Sequence, residues 1–134
     1  MTANIETNIW TALKKNINSP YTTYWPLDSF KIDVLKEQVI VTLIPNVSER
    51  FTIANDGFHD YNGILQLSLL SPLTRTQEQV IQSCGNLVNI LPESLVAEHN
   101  GVRVYIAKRG DIGQTYRDEG MWRTPVSFRY RALV

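Results

Sequence analysis

Apolar residues recur at Ile5, Ile9, Trp10, Leu13 and Ile17. That spacing predicts an amphipathic helix over 4–17, with Lys14 and Lys15 at the end where the helix dipole favours cations. Pro20 and Pro26 then disfavour helix at Ser19 and Trp25. Tyr21–Tyr24 between them are good strand formers, so a short edge strand or extended segment is expected. From 37 the pattern changes to alternation. Val39, Val41 and Leu43 share one face, and Ile40, Thr42 and Ile44 the other. Both faces are fairly apolar, which predicts a strand that is central or covered on both sides. A short strand at 50–54 and an Asn55–Gly57 turn follow. A cleaner strand spans 63–72, with Leu65, Leu67 and Leu69 inward and Gln66 and Ser68 outward.

The period lengthens again over 74–91. Val80, Ile81, Cys84, Leu87, Val88 and Leu91 form one stripe, which predicts a second helix with that stripe buried. Thr74 or Thr76 is the expected N-cap, and Pro92 the stop. Gly85 within it is read as permitting close packing on the sheet. An Asn100–Gly101 turn leads into a strand at 101–108. Residues 109–121 read as a polar loop, and a last strand runs over 124–132 with Val126, Phe128, Tyr130 and Ala132 on one face and Ser127, Arg129 and Arg131 on the other. The order of helix, strands, helix, strands predicts an α+β fold. Its mixed sheet is mostly antiparallel, and two helices pack mainly on one face.

Length and charge narrow the function. The 134 residues fit a single domain, 1–134. Thirteen Lys+Arg balance thirteen Asp+Glu, which speaks against a whole-protein grip on nucleic acid and removes a guard against self-association. One cysteine, Cys84, allows no internal disulfide and suits a reducing compartment. No secretory leader pattern and no membrane-length apolar run are visible, so no membrane partner is expected.

Candidate chemistry is sparse. His59 lies among Asp56 and Asp60 without further ligands at metal spacing, and reads as a surface loop histidine. Cys84 reads as a small buried hydrophobe. Asp118 and Glu119 are adjacent and suit a turn better than an acid–base pair. The Arg109–Gly110–Asp111 tripeptide reads as a turn in which Gly110 takes positive φ. No catalytic, cofactor or metal site is expected, and the chain is not read as an enzyme. What stands out is a basic final third: Arg103, Lys108, Arg109, Arg117, Arg123, Arg129 and Arg131. These are candidates for a subunit or partner interface, with Tyr105 and Tyr130 adding amphipathic area. A solvated sheet face is the plain alternative.

Three landmarks stand in order: "WPLDSF" after the first helix, "GILQLSLLSP" leading into the second, and "GMWRTPVSFRYRA" near the end. Together, over 25–132, they resemble the phage tail terminator-like family. Trp25, Pro26, Gly63, Leu65, Gln66, Gly120, Trp122, Pro125 and Val126 carry the resemblance and are expected to keep the fold. It implies a structural virion protein of the phage tail, assembled in the host cytoplasm. Copies would form a ring, commonly a hexamer, that caps the head-proximal end of the tail tube, stops its polymerisation and joins it to the head. The implied partners are further copies of the chain, the major tail tube protein and the head connector. DNA would pass the lumen without specific binding, and residues of 103–117 could line it. Another kind of head–tail connector, or a small nucleic-acid-binding module using the Arg/Tyr face, are the alternatives.

Overall fold

A computed structural model describes residues 2–27, 31–45, 49–50, 59–93 and 95–133. The elements, in chain order, are α1 (Thr2–Asn16), β1 (Thr22–Tyr24), β2 (Gln38–Pro45), β3 (Glu49–Arg50), β4 (His59–Pro72), α2 (Gln77–Val88), β5 (Val96–His99), β6 (Val102–Ile112), β7 (Tyr116–Asp118) and β8 (Met121–Leu133). The strands form one sheet in the order β1-β2-β4-β8-β6-β5, with β3 added to β4 and β7 to β8. All pairings are antiparallel except β1 with β2. The fold is therefore α+β with a mostly antiparallel sheet, and the sheet curls into half a barrel.

Alternation along the long strands builds the core. Val39, Val41, Leu65, Leu67, Leu69, Val104, Ile106, Val126 and Phe128 are buried on the helix-bearing face. Against them lie Ile9, Ala12 and Leu13 of α1, and Val80, Cys84, Leu87 and Val88 of α2. The helix α1 packs on β5 and β6, and α2 on β6, β4 and β8. Thr76 caps α2 with a reciprocal box: its hydroxyl accepts from the Gln79 N–H, and the Gln79 side chain accepts from the Thr76 N–H.

Several expectations shift. The second helix is shorter than 74–91, because its C-cap is Asn89 and it ends before Pro92. Ile81 is not in the buried stripe but 51% exposed: Ser83, not Ile81, joins Val80, Cys84, Leu87 and Val88 on the buried face. A Cβ on Gly85 would meet nothing within 4 Å, so that glycine has no close-packing role. The strand β2 is flanked by strands on both sides only over Gln38–Ile40, between β1 and β4, and on its outer face Ile40 and Thr42 are half-buried. Conversely Ser68, expected outward, is fully buried. The segment 31–37 folds over that end of the outer face, where Ile32 and Val34 line a cavity with Leu70 and Met121. The buried Gln38 side chain holds the segment, accepting from the Asp33 N–H and donating to the carbonyls of Asp33 and Lys36. His59 lies in β4 opposite Arg50 rather than in a loop. The expected turn at 55–57 and most of the strand at 50–54 lie outside the described residues.

The polar loop expected over 109–121 is mostly strand. Between Ile106 and Ile112, β6 uses seven residues where β8, from Tyr130 to Val126, uses five. Two bulges absorb the excess. The Arg109–Gly110–Asp111 tripeptide therefore lies in a bulged strand, not a turn. Gly110 is there for close approach: a Cβ would stand 2.6 Å from the buried Phe128 ring. Two tight turns have paired positive φ, Asn100 and Gly101 (51° and 81°) and Glu119 and Gly120 (48° and 81°). Both match the right-handed twist of hairpin strands. The first joins β6 to β5, an edge strand absent from the sequence expectation.

Candidate assembly surface

The strand β8 runs through the middle of the sheet and sorts its residues by parity. Val126, Phe128, Tyr130 and Ala132 are buried on the helix side, while Arg129 and Arg131 are exposed on the other. Pro125 sits in this central strand without breaking it. Its carbonyl accepts from the Gly113 N–H at 2.7 Å, so its N-side faces β6, where the bulged strand is already departing. A ladder hydrogen bond is therefore not required of it.

Four of the seven basic candidates come together on the outer face. Arg129 stands opposite Lys108, and Arg131 opposite Tyr105. Arg103 lies next along β6, paired with Glu98 of β5 at 3.5 Å, and Lys108 reaches Asp111 at 3.4 Å. Like charges directly opposed across a ladder destabilise it. Arg129 and Lys108 are in that relation, and Arg129 has no ion pair among the described residues. Arg109 is exposed within the bulged segment.

The other two candidates are elsewhere. Arg123 is six residues from Arg129, about 20 Å along an extended strand, and is half-buried against Asp118 at 3.1 Å. Arg117 lies opposite Trp122 on β7. Tyr105 is 37% exposed and belongs to the basic face, but Tyr130 is 4% exposed and belongs to the core. Burial, and Glu6 after it, hold the Tyr130 phenol above its ordinary pKa. The side chains of Asp56 and Asp60, the acidic neighbours of His59 in the sequence, lie outside what is described.

The landmark residues have local jobs. Trp25 meets Trp10 edge to face at 6.2 Å, and the Lys14 ammonium lies 4.9 Å from the Trp25 ring centroid. Pro26 follows on the surface. Gly63 lets β4 pass under Tyr130, since a Cβ would meet the Tyr130 hydroxyl at 2.6 Å and the Ile44 carbonyl at 2.5 Å. Gln66 donates to the Ser68 hydroxyl at 3.2 Å. Trp122 is half-buried and lines a groove with Arg75, Gln77, Val80 and Thr115. Cys84 is fully buried. Burial pushes its thiol up to about 11, a Thr124 hydrogen bond lowers it and Glu37 raises it, so it stays protonated and unreactive near neutrality. Among the described residues no three of His, Cys, Asp and Glu are grouped to hold a metal. What the surface does offer is sheet edges, half-exposed apolar grooves and a basic face. Those are the means by which one protein meets another.

These features define a class: a small α+β protein built on one curled, mostly antiparallel sheet. The family model for phage tail terminator proteins matches residues 7–130, and the chain belongs to that family. It is a structural component of the phage tail. The fold is shared with a solved structure at 19% identity and a TM-score of 0.76, covering 98% of this chain and 96% of that one. No curated protein matches the sequence.

Proposed function

We propose that this protein caps the head-proximal end of the tail tube. Copies assemble into a ring, most simply a hexamer, that stops tube polymerisation and presents a joining surface to the head connector. The basic outer face around Arg129 and Lys108 meets an acidic surface of the major tail tube protein, and DNA passes the lumen without specific binding. One observation carries this reading. Arg129 and Lys108 stand directly opposite each other on an exposed face where Asp111 pairs with Lys108 alone, a local cationic excess that becomes favourable once an acidic partner covers it.

The test is charge reversal. Arg129→Glu with Arg131→Glu should leave thermal unfolding within a few degrees of wild type, because both side chains are exposed. It should abolish capping, seen by electron microscopy as tubes of uncontrolled length. Normal tubes from a folded double variant would reduce the arginines to a solvated face.

A further inference from the structure

The sheet has two open edges, and they differ. At one end β5 pairs only with β6. Leu95 accepts from the Ile106 N–H, so Leu95 faces β6, and alternation turns the N–H and C=O of Val96 and Glu98 outward. Val96 is 49% exposed. At the other end β1 covers β2 only from Gln38 to Ile40. Beyond that point no strand among the described residues pairs with Val41–Pro45 on the side away from β4. A groove of about 400 Å³ follows this uncovered stretch, walled by Trp10, Trp25, Pro26 and Leu27. Leu27 is fully exposed and held at φ 67°, a left-handed conformation that a leucine rarely adopts.

We propose that β5 of one copy adds to the open stretch of β2 on the next, in line with β1, so that the sheets run on from subunit to subunit. This rests on the ring reading and specifies its contact. Ring closure by a repeated contact needs two different patches on each subunit, and the two edges are such a pair. Their lengths correspond, four residues in β5 and five in Val41–Pro45. Their side chains correspond too. Val96 and Ile44 lie on the same outer face of the sheet, each nearly half exposed, and joining the edges covers both. Backbone pairing supplies the affinity, and the apolar groove selects the side chains that enter it.

The experiment uses the full chain assembled on purified tail tubes. Cysteines are placed at Val96 and at either Ile44 or Thr42, the two outer-face positions of the open β2 stretch Val41–Pro45; Cys84, buried, stays as it is. Mild oxidation should give a ladder of covalent oligomers ending at the ring size, while each single-cysteine variant stops at dimers at most. Val96→Pro should block the outward N–H yet fold, because proline is tolerated on an edge strand, and it should reduce ring formation at least tenfold. Rings that form normally without a ladder in either pairing overturn the edge contact while leaving the ring reading intact. A wild-type chain that forms no ring on tubes overturns both. If Val96→Pro fails to fold, the cross-linking alone decides.

Discussion

Glu119 is held at φ 48° as the first residue of a tight turn, beside Gly120 at 81°. Left-handed backbone destabilises a β-carbon-bearing residue by about 1–2 kcal/mol, and asparagine suffers least because its short side chain bonds locally. Glu119→Asn should therefore stabilise the fold by roughly 0.5–1 kcal/mol. A denaturant midpoint that does not rise would mean that the glutamate has a compensating contact. Cys84 makes a prediction of the opposite sign. Its thiol is raised from 9.0 to about 11 in the fold, chiefly by burial. Above pH 9 the unfolded chain loses this proton while the folded chain keeps it, so stability falls as pH rises through that window. The loss approaches 2–3 kcal/mol, at about 1.4 kcal/mol per unit. Chemical denaturation at pH 8 and pH 10.5 should show the decline in wild type. It should be smaller in Cys84→Ala, whose baseline stability is lower because of the cavity.

At the scale of the element, the bulged end of β6 is where the sequence was least legible. The pattern of residues 109–121 is polar and contains three glycines, so propensity reads a loop. The strand persists because β8 supplies the ladder, and Gly110 lets the bulged backbone rest on the Phe128 ring. Gly110→Ala should accordingly destabilise by about 1–3 kcal/mol through overpacking. The same substitution in an exposed loop would be close to neutral, and such a result would place the segment back in a loop. The edge strand β5 was missed for a related reason. It has four residues, only Ala97 is buried, and short strands carry little periodic signal. By contrast, β4, α1 and β8 were legible because long alternating or helical patterns face one continuous core. For the surface, parity alone put Arg129 and Arg131 outward. It could not tell that Lys108 joins them, because a bulge shifts the register between Ile106 and Lys108, nor that Arg123 turns to Asp118.

The whole molecule separates two kinds of contact, and salt distinguishes them. The basic face would act through charge, whereas the proposed β5–β2 contact uses backbone hydrogen bonds and apolar side chains. Screening shortens the reach of exposed charges from about 10 Å at 0.1 M salt to about 3 Å at 1 M. Hydrogen-bonded and apolar contacts do not weaken in that way, and excluded salts strengthen apolar burial. Co-sedimentation of the protein with tail tubes should therefore weaken steeply between 0.1 and 1 M salt. Cross-linking between copies through β5 should hold once rings have formed. The Arg129→Glu, Arg131→Glu variant should bind tubes weakly at low salt and show little further dependence. Because the formal net charge of the chain is zero, a salt effect of this kind cannot come from the protein as a whole and must be local. Tube binding that is flat across the range would remove the basic face from the tube contact. It would leave the sheet edges as the route by which this subunit assembles.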